Sequence, residues 1–433
     1  MTGVRRIDCR AAGPDYSQVV PRAEFDVAAA LVAVAPICEA VRTGGEAALQ
    51  KLSGQFDHVV PGHFRVDPAV LARCADELDP ALRSAYLTSI ERRRAVAALE
   101  AAVPDVTATL AGGARVTITS VPVGRVGLYV PGGLEPLASS VIMNVVPAQA
   151  AGVRSLAVAS PPQAAFGGLP HPTILAVAHL LGVDEVYAVG GAQAIAMFAY
   201  GVPGLCAGVD LVTGPGNIFV VAAKRYVKGL VGIDAEAGPS EIAVLADKTA
   251  RADFVAADLL SQAEHGPGSA SVLITDDPGL ADRVEAELEQ MVAETLHAGR
   301  VREALTGQQS AIVLVRDLAQ GIEVANAYGA EHLEIMTADP ATTARAVRRA
   351  GAVFLGPYSP VSLGDYSAGS THVLPTGGAA RHSSGLTVRS FLKTMHVIDY
   401  DQAALAAIAD GIQVFALSEH LPAHAHAIAV RQS

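Results

Sequence analysis

The chain has 433 residues, 51% hydrophobic and 17% charged, with a net charge of −12. That length exceeds one ordinary core and predicts two or more domains, while the acidic balance argues against nucleic acid or an anionic membrane as partner. No apolar run is expected to reach the ~18 residues of a membrane span, and residues 1–9 are followed by no apolar stretch of a signal peptide.

Residues 1–25 carry little pattern. From 22 to about 52 the apolar spacing is helical, and Gly44-Gly45 divides the stretch into two helices. Residues 67–101 are helical again, with Asp67-Pro68 as N-cap and first-turn pair. Residues 107–130 alternate as strands do, with Gly112-Gly113 as the hairpin turn. After Tyr129 the spacing predicts a helix at 139–152, a strand at 155–160, a helix at 173–182 and a strand at 185–190. A helix at 191–200, a strand at 210–213 and a helix at 218–229 complete that series. A second series predicts strands at 241–246, 271–275, 311–315, 333–337 and 352–356, with helices at 252–265, 280–296, 318–329 and 341–350. Such alternation means parallel sheets, so two Rossmann-like domains of roughly 110 residues each are expected. Residues 356–385 lose the pattern and are too long for a passive connector. Residues 387–395 and 402–416 then read as helices, and 419–432 as a short histidine-rich helix.

Three glycine loops lie where strands hand over to helices: Tyr129-Val-Pro-Gly-Gly133, Gly190-Gly-Ala-Gln193 and Gly214-Pro-Gly-Asn217. None is GxGxxG. Backbone N–H groups there suit a diphosphate, although tight turns required by geometry alone explain any single loop. In Ser261-Gln-Ala-Glu-His-Gly-Pro267, Gln262 and His265 are three apart at a helix end. They suit a metal, or form a polar last turn with His265 near the negative end of the helix dipole. Glu331-His332 suits divided proton transfer, though such pairs are common. Asp365, between Gly364 and Tyr366, is a candidate metal ligand or an Asx turn. Ser370-Thr-His372 shares that irregular segment. Glu419, His420, His424 and His426 crowd the tail, where a polar surface helix is the plain alternative. Cys9, Cys38, Cys74 and Cys206 form no CxxC pair and lie in no motif, as in a reduced, cytoplasmic protein.

Together these stretches resemble the histidinol dehydrogenase family over nearly the whole chain. The matching pieces are VGLYVPGG (126–133), GGAQAIA (190–196), GPGNIFVVAAKR (214–225), GIDAEAGPSEI (232–242) and SQAEHGP (261–267), followed by AEHLEI (330–335), GDYSAGSTHVLPT (364–376) and EHLPAHA (419–425). The resemblance implies a zinc- and NAD-dependent homodimer oxidising L-histidinol to L-histidinaldehyde and then to L-histidine. It implies Gln262, His265, Asp365 and His424 as zinc ligands and Glu331 and His332 as the acid–base pair. It implies Ser240, Gln262, His265, His332, Asp365, Glu419 and His424 as substrate contacts, and Tyr129, Gln193 and Asn217 as NAD contacts. Two positions depart from the family pattern: Gly266 stands where Asp is usual, and His420 where Gly is usual.

The expected organisation is an N-terminal segment (1–25), a first α/β domain in two parts (26–128 and 238–385), an NAD-side α/β domain (129–237) and a helical tail (386–433). The resemblance adds an intertwined dimer whose tail reaches the partner's site. Without a cysteine in any motif, aldehyde oxidation is expected through a hydrate, not a thiolate. Two other readings remain: a related dehydrogenase acting on another amino alcohol or diol, and a metal-storage or metal-sensing protein. A lost Glu331, His332 or Glu419 would favour the first; the glycine loops count against the second.

Overall fold

A computed structural model describes residues 3–13, 15–16, 19–23, 26–132, 135–236 and 238–432. Gly133 of the first glycine loop and Ala237, the expected end of the NAD-side domain, lie outside the described residues. The chain begins with β1 (Arg6–Asp8), α1 (Val27–Leu52), α2 (Pro68–Asp76), α3 (Pro80–Ala101) and the hairpin β2 (Val106–Ala111) and β3 (Ala114–Pro122). The first α/β series is β4 (Arg125–Tyr129), α4 (Ala138–Ala150), β5 (Ser155–Ser160), α5 (Pro172–Leu180), β6 (Val186–Ala188), α6 (Gly191–Tyr200), β7 (Leu211–Thr213), α7 (Ile218–Val227) and β8 (Gly232–Ile233). The second opens with β9 (Glu241–Ala246), α8 (Ala252–Ala263), β10 (Ala270–Thr275), α9 (Pro278–Glu294), α10 (Ala298–Thr306) and β11 (Ala311–Leu314). It continues with α11 (Leu318–Tyr328), β12 (His332–Met336), α12 (Pro340–Ala344), β13 (Ala352–Leu355) and α13 (Val361–Tyr366). The tail holds β14 (Leu392–Tyr400), α14 (Gln402–Ser418) and α15 (Pro422–Ala429).

The two series form two parallel sheets, ordered β6-β5-β4-β7-β8 and β1-β11-β10-β9-β12-β13. Counting strands within each series, both sheets wind in the same order, 3-2-1-4-5, with β1 added at one edge of the second. The order reverses between β4 and β7 in one sheet and between β9 and β12 in the other. Those switch points are where sheets of this kind open a crevice. Both sheets are covered on both faces, so their strands read as unbroken apolar runs. In β9, Ile242 and Val244 face one core while Ala243 and Leu245 face the other.

Several expectations need correction. Residues 26–128 were grouped with 238–385, yet Val34, Cys38 and Val41 of α1 share a core with α6 and α7, and Leu71 of α2 and Ile90 of α3 share one with α4 and α5. These helices therefore pack on the five-stranded sheet. α1 does bend at Gly45, whose φ of 53° and ψ of −131° leave the helical region. Contrary to expectation, α1 is long and apolar enough to cross a membrane by length and composition alone, although one face is buried in that core. The helix expected over 67–101 breaks at Asp79-Pro80, where Asp79 caps α3 through the N–H groups of Ala81 and Leu82. Residues 387–395 are not a helix: a 3-10 turn over Val388–Phe391 leads into β14. β14 pairs antiparallel with β3 along its length, from Leu392–Pro122 to Tyr400–Ala114, making a three-stranded sheet β14-β3-β2. The tail thus carries a strand before its helices, and a third sheet exists. β1, unseen in the sequence, pairs with β11.

Candidate active site

The glycine loops gather at the carboxyl ends of β4, β6 and β7. Gly214 has φ +116°, and any side chain there would collide with the Tyr129 carbonyl oxygen, so the β4 and β7 loops touch at the switch point. Tyr129 is buried, and its hydroxyl accepts from the Gly191 N–H at 3.1 Å, at the start of α6. Gln193 is buried and donates to Asp57 Oδ2 at 3.4 Å. Burial raises the Asp57 carboxyl to about 6. Asn217 is exposed and caps α7, its Oδ1 accepting from Phe219 and Val220 at 3.1 and 3.2 Å. Lys224 and Asp234 form a buried ion pair behind this loop, with Lys224 Nζ donating to the Gly214 carbonyl and Asp234 accepting the Gly214 N–H.

The six-stranded sheet presents its opposite end. His332 opens β12 directly after Glu331, beside Glu241, which opens β9 directly after Ser240. Glu331 Oε2 accepts from Ser240 Oγ at 2.7 Å and from the Glu241 N–H at 2.9 Å. Burial, the largest influence, pushes the Glu331 carboxyl well above its ordinary range, with the charges of Glu241 and Asp365 adding to the effect. His332 Nδ1 lies 3.1 Å from the Glu241 carbonyl oxygen. A carbonyl only accepts, so Nδ1 carries the proton and Nε2 presents its lone pair. Nε2 is buried, without a hydrogen-bond partner among the described residues, 4.0 Å from Asp365 Oδ1. Burial lowers the imidazole to about 4, and at neutral pH it is an uncharged base.

Gln262, in the last turn of α8, is fully buried, and among the described residues neither polar atom of its amide has a partner. His265 follows the helix end, exposed at the same rim and near enough for its charge to bear on both His332 and His372. Asp365 stands on α13, and its carbonyl oxygen accepts from His372 Nδ1 at 3.1 Å. His372 Nε2 in turn meets Ser140 Oγ at 3.2 Å, in the first turn of α4. That contact joins the metal-type donors directly to the helix after the first glycine loop. A second tie runs from Arg300 to Glu135 in that loop and to the Glu264 carbonyl at the end of α8.

Gln262, His265, Glu331, His332, Asp365 and Ser240 are therefore brought to one rim. The tail residues are not. Glu419 and His424 are exposed, and among the described residues no hydrogen bond or ion pair joins either to that rim. Nor does any group of three or more His, Cys, Asp or Glu side chains hold metal spacing among the described residues. Sequence reasoning missed Glu241, buried and raised to about 7 by burial, and the bridge from His372 to Ser140. Both lie within or beside quoted motifs; an acidic residue opening an otherwise apolar buried strand was the available signal for Glu241.

A parallel sheet offering three glycine loops across from a buried, uncharged imidazole base makes an α/β enzyme site suited to proton transfer. A family model described as histidinol dehydrogenase matches residues 20–432. A histidinol dehydrogenase of Cutibacterium acnes is 63% identical over 425 residues, covering 97% of each chain. One from Thermobifida fusca is 58% identical over 428 residues, covering 99% of this chain and 97% of the relative. The crystal structure of histidinol dehydrogenase from Elizabethkingia anophelis matches with a TM-score of 0.92 at 30% identity, covering 99% of this chain and 98% of that one. The chain belongs to the histidinol dehydrogenase family, whose members are NAD-dependent oxidoreductases.

Proposed function

We propose that this chain oxidises L-histidinol through L-histidinaldehyde to L-histidine with one zinc ion and two NAD per turnover, in the last steps of histidine biosynthesis. The observation that carries the reading is His332, with Nδ1–H held on the Glu241 carbonyl and its unpartnered Nε2 facing Asp365 beside Glu331. Site and donors fit the metal. An amide left unbonded in the interior costs about 1–3 kcal/mol, and Gln262 bears that cost at both polar atoms. Oxygen from Gln262 and Asp365 with nitrogen from His265 is a donor set zinc accepts. His424 completes it from a second copy. Zinc, when bound, polarises the substrate's donor atoms without redox chemistry of its own, and NAD accepts the hydride.

The protein's own residues do the proton work. His332 Nε2 takes the hydroxyl proton in the first oxidation. Glu331 draws a proton from the water that converts the aldehyde to its hydrate while His332 returns its proton to the carbonyl oxygen, and the imidazole so regenerated takes the hydrate's proton in the second oxidation. Burial favours the protonated form of the Glu331 carboxyl, and a neighbouring cation would favour the carboxylate that acts as base. Tyr129, Gln193 and Asn217 line the cofactor side, and Ser240, Glu419 and His424 the substrate side.

A homodimer follows from the tail. Ile398 of β14 is 71% exposed, Leu110 of β2 is 63% exposed, and Val414 and Phe415 of α14 are 70% and 66% exposed. Apolar area on that scale favours cover by a second copy, which brings Glu419 and His424 to the partner's rim. We place the enzyme in the cytoplasm, with a small-molecule substrate and neither nucleic acid nor membrane as partner. The test is NADH formation from L-histidinol. Two NADH per substrate consumed supports the reading; one NADH with accumulating aldehyde, or none, refutes it.

A further inference from the structure

Two buried carboxyl groups lie beneath the rim and have no part in the chemistry above. Glu334 on β12 is 1% exposed, and Asp258 on α8 is 8% exposed. Glu334 Oε1 accepts the Val361 N–H at 2.7 Å, at the first residue of α13. Its Oε2 is buried, and among the described residues no donor N–H or O–H reaches it. The Asp258 carboxyl lies within hydrogen-bonding reach of Glu334. Two ionised carboxylates only accept, so a proton held between them gives Oε2 its partner. Burial, reinforced by the Asp258 charge, raises Glu334 to about 9, which keeps that proton in place at neutral pH.

The placement of the pair is specific. Gln262 lies one helical turn beyond Asp258 on α8, and Asp365 one turn beyond Val361 on α13. His332 lies two residues before Glu334, on the same face of β12. Each segment that contributes to the rim is thus anchored to this pair one repeat from its functional side chain.

We propose that Asp258 and Glu334 form a clasp of positioning residues that holds α8, β12 and α13 in the register that brings Gln262, His265, His332 and Asp365 together. The proposal rests on the zinc reading above. It assigns the pair no contact with substrate or metal. Supporting groups of this kind change metal affinity by about 10–100-fold when removed.

The test measures zinc affinity of the full-length protein by competition with a chromophoric chelator, beside NAD binding. Glu334→Gln keeps an acceptor for Val361 and gains an amide donor for Asp258, so zinc affinity stays within roughly 3-fold of wild type. Glu334→Ala removes both bonds and weakens zinc by about 10-fold or more, with NAD binding unchanged. Should Glu334→Ala fail to fold, the double variant Asp258→Leu, Glu334→Met fills the space without the hydrogen bonds. Such replacements of buried ionisable pairs are often neutral for stability, and here zinc is still expected to weaken by about 10-fold. Unchanged zinc affinity in a folded Glu334→Ala or double variant overturns the clasp. So does a loss in Glu334→Gln equal to that in Glu334→Ala, or a parallel loss of NAD binding. A wild-type protein that forms NADH from L-histidinol yet binds no zinc overturns both the metal assignment and the clasp.

Discussion

Replacing Glu331 with Gln should separate the two oxidations. The side chain is isosteric, and its remaining oxygen can still accept from Ser240 Oγ and the Glu241 N–H, now 2.7 and 2.9 Å from Oε2. Burial pushes the native carboxyl toward its neutral form, so the neutral amide should change stability by less than about 1 kcal/mol. What is lost is a base that can ionise once the site is loaded. Loss of a positioned base lowers a rate by ~10²–10⁴, which is about 2.7–5.4 kcal/mol of barrier. That loss belongs to oxidation of L-histidinaldehyde, where water must be activated. His332 keeps its Nδ1 anchor on the Glu241 carbonyl, so the first hydride transfer should suffer less. Single-turnover NADH formation from L-histidinol measures the first step, and supplied L-histidinaldehyde measures the second. Equal loss in both steps refutes a water-activating role and leaves Glu331 a positioning group.

Other consequences are open to direct measurement. Co-expressed His265→Asn and His424→Asn chains, each inactive alone, should regain activity, because a mixed dimer with shared sites holds one intact site; activity that stays near zero means each chain uses its own tail. His420 adopts φ +59°, so His420→Gly should stabilise the tail by about 1 kcal/mol in thermal unfolding and leave zinc content unchanged. Glu334 is raised from 4.5 to about 9 in the folded chain. Its proton therefore stabilises the fold fully below pH 4.5, and that stabilisation is lost as pH rises through 9. Wild-type Tm should fall more steeply than that of Glu334→Gln between neutral pH and pH 10, and parallel curves would refute the shared proton.

The inner strands of both sheets were legible because each is a short apolar run between turn residues, whereas the edge strands β1 and β8, of three and two residues, were not. Glu331, His332, Gln262 and His265 were legible as motifs, yet nothing in their spacing shows which end of a sheet they occupy. β14 was misread for a physical reason. Val388, Phe391 and Leu392 repeat at near-helical spacing, and the first two are buried through a single 3-10 turn. From Leu392 on the conformation is set by pairing with β3, across 270 to 286 residues of chain, which local spacing does not report. β1 failed for the same reason: three residues become a strand only beside β11. The regrouping of residues 26–128 is likewise a tertiary fact, because an amphipathic helix declares a buried face but not the sheet that buries it.

The opposed ends of the two sheets suit the two unlike ligands of the proposed reaction. At the carboxyl ends of β4, β6 and β7, glycine loops and the starts of α4, α6 and α7 offer N–H groups and positive helix ends, suited to a diphosphate. At the amino ends of β9 and β12, the rim receives the carbonyl-rich end of α8, along with Asp365 and Glu331, suited to a cation. Had both sheets presented the same end, one ligand would have met an unfavourable field. The bond between Ser140 and His372, and the bridge from Arg300 to Glu135 and the Glu264 carbonyl, fix the two rims against each other. A hydride moves only between groups held in contact, so these ties matter as much as the reacting side chains. The same reasoning explains His372: with Nδ1 on the Asp365 carbonyl and Nε2 on Ser140 Oγ, this half-buried imidazole holds the Asp365 backbone to α4.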